Sequence, residues 1–204
     1  AHSVQISDDG NIIAVGSPRR EHVKIFSTNG STWSQLGNTI TPTSVDINGD
    51  GTETLQTHNN TFGSSIGMNS TGDMIAIGCS EAGIPYADTG FVRVFTYDNT
   101  DYTGFTQNTL RWNQTGQTIF GNSTSGSGFI GSRLGRSVAM TSDGNIIAIT
   151  APGESDVRVG GNTSGQPETN NNNNHGAAKV YHLTASLAAI NIRRLTTFLN
   201  YFTT

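Results

Sequence analysis

Hydrophobic and polar positions alternate in three short stretches of the chain, and each alternating stretch is followed by the same kind of sequence. The stretches are residues 3–18, 65–80 and 137–152. Each begins with an alternating run, passes a turn that ends in glycine, and continues with an apolar run closed by a small residue. Alternation predicts a strand with one face in a core, and a run that is apolar on both faces predicts a strand between packed layers. We therefore expect a repeating pair of antiparallel strands.

Two further blocks follow each pair in the first two repeats. The third block alternates again, and its polar positions are Lys24, Arg93 and Lys179. The fourth block begins at Trp33 and returns at Trp112, each time followed by Gln, Gly and Ile at the same offsets. The identical register of the two tryptophans favours a structural role in an outer strand over carbohydrate stacking. Packing contacts recur from one repeat to the next, whereas ligand contacts usually do not.

The spacing of the repeats predicts the fold class. Gly10, Gly72 and Gly144 mark equivalent turns 62 and 72 residues apart. Four short strands in a period of this size are typical of propeller blades. We predict an all-β fold, a partial β-propeller of about three four-stranded antiparallel blades. The predicted blades are 1–61 (starting inside a repeat), 62–133 and 134–183 (incomplete).

The segment 184–204 is predicted to be an atypical C-terminal tail, because the expected fourth block is missing there. Its apolar positions approximate a helical stripe. A short helix docked on the last blade and a truncated or misread end both fit this pattern.

Composition excludes some classes of partner. Only 13% of residues are charged and the net charge is −4, so the chain lacks the basic surface that nucleic-acid binding requires. No apolar run approaches 18 residues, so we expect no membrane insertion by this segment. The one cysteine, Cys79, excludes an internal disulfide and is expected to be a small buried side chain.

Short motifs around the strand pair resemble those of FG-GAP repeat proteins, whose best-known members are the integrin α-subunit propellers. The motifs are Phe62-Gly63 and Leu134-Gly135 before the pair, and Gly16-Ser17-Pro18, Gly78-Cys79-Ser80 and Thr150-Ala151-Pro152 after it. The resemblance covers roughly residues 1–183 and is nearest to the secreted microbial and algal variety. It implies an extracellular or cell-surface β-propeller. Integrin-type repeats bind calcium in the hairpin of the pair, but the hairpins here are too short for that loop.

A better pattern for calcium lies in the connection between the first two blades. Oxygen side chains stand at positions 1, 3 and 5 of a loop with glycine at position 6, as at the start of an EF-hand loop. The carboxylate expected at position 12 is missing, and a polar turn is the alternative interpretation. The predicted Ca²⁺ ligands are Asp46, Asn48, Asp50, Thr52 and Thr54.

Sequons for N-glycosylation are present, but no more of them than chance predicts for this composition. They permit a secreted glycoprotein without arguing for one. The six asparagines are Asn29, Asn59, Asn69, Asn113, Asn122 and Asn162.

No catalytic pattern is recognisable, because the five histidines are scattered and no nucleophile elbow or phosphate-binding loop is present. The repeats have constant strands and unequal loops, and loops of this kind usually carry binding. The sequence therefore predicts a non-catalytic extracellular segment, not an enzyme, that binds a protein or a glycan. Because three blades cannot close a ring, further blades or copies are also predicted partners. The alternatives are a structural subunit of an extracellular filament or surface layer, and a glycan-active propeller enzyme.

Overall fold

The computed structural model describes residues 1–42, 61–82, 88–99, 111–122, 131–154, 176–186 and 189–198, with backbone only from residue 184 onward. Nearly every element in these ranges is a strand. No helix within them has the length and apolar character that crossing a membrane would require.

The strands form three antiparallel sheets, each running in chain order from an inner to an outer strand. Sheet 1 consists of β1 (Ser3–Ile6), β2 (Ile12–Ser17), β3 (His22–Thr28) and β4 (Trp33–Gln35). Sheet 2 consists of β5 (Ser65–Met68), β6 (Met74–Cys79), β7 (Phe91–Asp98), β8 (Arg111–Gln114) and β9 (Ile119–Phe120), which also pairs with β7. Sheet 3 consists of β10 (Val138–Met140), β11 (Ile146–Ala151), β12 (Ala177–Ser186) and β13 (Ala189–Phe198). One 3-10 turn, η1 (Pro18–Arg20), joins β2 to β3. The predicted all-β, partial propeller fold is confirmed.

The repeated hairpin between the first two strands is closed by its own side chains. In sheet 1 the hydroxyl of Ser7 and the backbone and amide N–H groups of Asn11 all donate to the carboxylate of Asp9. Sheet 3 repeats these bonds around Asp143. Gly10 completes the turn with φ of 75°, a left-handed conformation that favours glycine. The carboxylate therefore fixes the turn, which explains why Asp-Gly-Asn returns in the sequence.

The hydrogen bonds of one glutamine explain why the fourth block repeats the same residues. In sheet 1 the amide of Gln35 donates to the carbonyl oxygen of Gly37 and to the hydroxyl of Thr39. Gln114 makes the equivalent two bonds in sheet 2. These bonds turn the chain back after the tryptophan strand, so that Ile40 forms an antiparallel bridge with Val23 of β3.

The secondary structure of the C-terminal tail differs from one of the two interpretations of its sequence. A short helix was one interpretation of residues 184–204, but residues 189–198 form β13, which pairs along β12 with a register shift at Val180/Tyr181. Without β13 the outer edge of β12 would present unpaired backbone groups, and the segment carries β-branched residues such as Ile190 and Thr196. Backbone pairing along this edge overrides the helical periodicity of the sequence. The helix prediction is therefore wrong over residues 189–198.

The sheets stack face to face, and the core lies between them. We call the front face the one that carries Lys24, Arg93 or Lys179, and the back face the opposite one. The front of sheet 2 packs on the back of sheet 1 in one apolar cluster, and the front of sheet 3 packs on the back of sheet 2 in a second. Burying an Ile or Phe side chain contributes roughly 1.5–3 kcal/mol, so these two layers hold the sheets together.

Hydrogen bonds between inner strands repeat across both layers. The hydroxyl of Ser3 donates to the carbonyl oxygen of Gly63 at 2.7 Å, and that of Ser65 donates to Gly135 at 2.6 Å. The carbonyls approach so closely that Gly16 and Gly78 have no room for a Cβ atom. The equivalent position in sheet 3 is Thr150, which is exposed.

The front face of sheet 1 is uncovered in this structure. Val4 and Ile6 are 63% and 58% exposed, whereas Ile66 and Val138, the counterparts of Val4, are 3% and 6% exposed. Trp33 is 48% exposed and its counterpart Trp112 is 4% exposed. The sequence pattern predicts a core on one side of all three inner strands. Among the described residues, this face is packed in a core for sheets 2 and 3 and is exposed for sheet 1.

Candidate functional site

The third strand of each sheet places one cation at the same register of the front face. Lys24 lies opposite Val15, Arg93 opposite Ile77 and Lys179 opposite Ile149. A cation between apolar strands requires a compensating partner when it is buried. The three sheets differ in what surrounds this cation.

In sheet 3 the cation is neutralised within the fold. Lys179 Nζ lies 2.6 Å from Glu154 Oε2, and the two side chains are 3% and 12% exposed. The other carboxylate oxygen of Glu154 accepts a bond of 2.7 Å from the amide of Asn122 in sheet 2. Glu154 follows the end of β11 by three residues, and the pairing of β11 with β12 brings it to Lys179.

In sheet 2 the cation is enclosed between sheets. Arg93 is 2% exposed, its Nε donates to the hydroxyl of Thr118 at 3.1 Å, and its guanidinium carbon lies 5.0 Å from the centroid of the Phe91 ring. Burial lowers the pKa of Arg93 from its ordinary value. The position three residues after β6 is Ala82, which is completely buried. This site is closed to ligands.

In sheet 1 the cation lines a cavity. The cavity has a volume of about 330 Å³ and opens on the uncovered front face. Its lining includes the basic side chains Arg20, His22 and Lys24 and the apolar side chains Val15 and Phe26. Ala1 and Ser17 are the other lining residues, and the described part of the lining contains no carboxylate.

The short connection after β2 supplies the second cation. Arg20 follows the end of β2 by three residues, as Glu154 follows the end of β11, so the two occupy equivalent places. The turn η1 presents it, and the carbonyl oxygen of Arg20 lies 3.2 Å from Nδ1 of His22. Sheet 1 therefore has a cation where sheet 3 has the carboxylate that neutralises its lysine.

The nearest carboxylate in sequence, Glu21, does not line the cavity. It has φ of 51°, a left-handed conformation, and its charge acts on Cys79 in sheet 2. Burial, with a smaller contribution from Glu21, raises the pKa of Cys79 to about 12. Cys79 is buried, in agreement with the small buried side chain expected from the sequence, and a buried thiol with a raised pKa is a weak nucleophile.

The chemistry available in the cavity is recognition of a small anion. Arginine and lysine donate several charge-assisted hydrogen bonds, and an imidazole adds a group that can donate or accept a hydrogen bond. Roughly 300 Å³ is the lower end of the range for small-molecule sites. A ligand of modest size with one strongly charged group fits these dimensions.

The predicted calcium ligands lie outside the described residues. Asp46, Asn48, Asp50, Thr52 and Thr54 all fall within residues 43–60. Among the described residues, no group of three or more His, Cys, Asp or Glu side chains is placed to hold a metal ion. Calcium binding at this loop stays a prediction.

The predicted glycosylation sites have different surroundings. Asn29, Asn113 and Asn122 are exposed, and Asn59 and Asn162 lie outside the described residues. Asn69 is 7% exposed, and its amide donates to the side chains of Thr71 and Asp73. A glycan on this nitrogen would replace one of its two hydrogens and remove at least one of these bonds, so Asn69 is the least suited of the described sequons.

Sequence reasoning found only one member of the basic cavity. The register of Lys24 is visible in the third block, but Arg20 and His22 stand in what the sequence presents as a short connection. A signal was available in the alignment of the repeats, since Arg20 and Glu154 follow equivalent motifs at the same distance and have opposite charge. Its meaning depends on the ion pair between Glu154 and Lys179, which only the folded chain contains.

Comparison with known proteins gives a similarity of fold. No family model matches the chain, and no curated protein matches it. Among solved structures, the chain is similar to a protein of Bacteroides uniformis described as a putative 6-phosphogluconolactonase, with a TM-score of 0.50 and 10% identity. The match covers 98% of this chain and 41% of the other, so the chain spans about two fifths of that protein's length. At this identity the similarity establishes a shared fold.

This similarity corrects two predictions from the sequence. The chain was expected to be a non-catalytic adhesion segment and not an enzyme. Both expectations are contradicted, because the propeller fold is shared with a protein described as a lactonase. A propeller enzyme can draw its polar groups from separate loops, which leave no local motif, so the missing motif did not support the expectation of a non-enzyme.

Proposed function

We propose that this chain is part of a β-propeller enzyme that acts on a small sugar-derived lactone or ester. The observation that carries the proposal is the similarity of fold along 98% of the chain to the Bacteroides uniformis protein. That protein is described as acting on a phosphorylated sugar lactone. Ligands of propellers bind where loops of neighbouring sheets meet, on a rigid scaffold of strands.

The basic cavity of sheet 1 supports the same reaction class. Hydrolysis of a lactone needs a group that takes a proton from water and donors that stabilise the oxyanion formed at the carbonyl. His22 supplies an imidazole, and Arg20 and Lys24 supply cationic donors. All three line one cavity, so a ligand within it reaches each of them.

Turnover is the direct test. We expect the chain to release 6-phosphogluconate from 6-phosphogluconolactone faster than the spontaneous reaction, followed by acid production at constant pH. His22→Gln should lower kcat about 100-fold, because general base catalysis contributes roughly that much. His182→Gln, the same substitution at a half-buried position of sheet 3 that does not line the cavity, is the matched control. A chain that accelerates no sugar lactone or ester in a panel would refute the proposed function.

A further inference from the structure

We draw no further inference here: the strongest candidate, the uncovered front face of sheet 1 with its exposed Val4, Ile6 and Trp33, is a face that a further blade would cover, and nothing in the described part of the chain shows what lies against it.

Discussion

Lys179 Nζ and Glu154 Oε2 form an ion pair of 2.6 Å in the layer between sheets 2 and 3, and both side chains are almost fully buried. Charges in such a layer have lost their hydration, so each depends on the other for compensation. The amide of Asn122 adds a hydrogen bond from sheet 2 to the same carboxylate. The pair therefore links strand β12 to the adjacent sheet.

Removing one partner of this pair should cost much of the stability of sheet 3. Glu154→Gln leaves Lys179 buried without a counter-charge, and we expect the free energy of unfolding to fall by about 3–5 kcal/mol. The measurement is urea denaturation. Asp88→Asn in the exposed pair Arg133–Asp88 is the matched control, with an expected loss below about 1 kcal/mol. Equal losses in the two variants would contradict this account.

The two equivalent valines of the inner strands should differ in what they contribute. Val138→Ala removes buried methyl groups and should cost about 2 kcal/mol of unfolding free energy. Val4→Ala changes a side chain that is 63% exposed and should cost less than about 0.5 kcal/mol. Thermal denaturation of both variants checks the difference. A large loss in Val4→Ala would mean that the front face of sheet 1 is covered in solution.

Gly78 should not tolerate alanine. A Cβ atom there would overlap with the hydroxyl oxygen of Ser65 and the carbonyl oxygen of Gly135, so sheet 3 would have to move away from sheet 2. We expect Gly78→Ala to lower the free energy of unfolding by about 1–3 kcal/mol. Thr150→Ala places the same residue at the equivalent position of sheet 3, where a Cβ already fits, and should cost less than about 1 kcal/mol. Similar midpoints for the two variants would remove the steric argument.

The hairpin carboxylates should make stability depend on acid pH. The hydroxyl of Thr141 and the N–H groups of Asn145 lower the pKa of Asp143 from its ordinary value of 3.8 to about 2. Because the folded-state pKa is the lower one, the stabilisation is complete above about pH 4 and is lost as the pH falls through 2. Asp143→Ala should therefore have a lower thermal midpoint than the wild type at pH 7, and the difference should shrink between pH 4 and pH 2.

Asp9 provides an independent check of the same effect, since the hydroxyl of Ser7 lowers its pKa in the same direction. If the thermal midpoints of Asp143→Ala and Asp9→Ala still differ from that of the wild type by the same amount below pH 2, the carboxylate charge is not the cause of the stabilisation.

Cys79 should be protected from thiol reagents in the folded chain. Burial raises its pKa to about 12, so the reactive thiolate is scarce at pH 8 and the sulfur is also inaccessible. An aromatic disulfide reagent should react slowly with the native chain and at once after addition of denaturant. Rapid stoichiometric reaction of the native chain would contradict the position of Cys79 between sheets 1 and 2.

Some features follow from the sequence because their causes are local. Asp143 and Asn145 close a hairpin within a few residues, and Gly144 provides the positive φ. The alternation around Val138 is a property of the strand itself. Such local rules repeat wherever the residues repeat, so strands, turns and the propeller architecture could be predicted.

Other features could not be predicted, because they depend on what each strand meets in space. The helical periodicity of residues 189–198 gave way to pairing along the free edge of β12. Val4 and Val138 belong to equivalent patterns, yet one is exposed and the other lies against sheet 2. Loop positions outside the described residues, including the predicted calcium ligands, remain expectations from the sequence.

The sequence by itself determined the repeat, the strands and the cation at the third strand, because these depend on residues close together in the chain. Only the tertiary structure decided what each cation meets. It brings Glu154 to Lys179 across a long connection, encloses Arg93 between two sheets, and leaves Lys24 beside Arg20 in an open cavity. The reason is physical. The energy of a charge is set by its distance from other charges and from water, and only the folded chain fixes these distances.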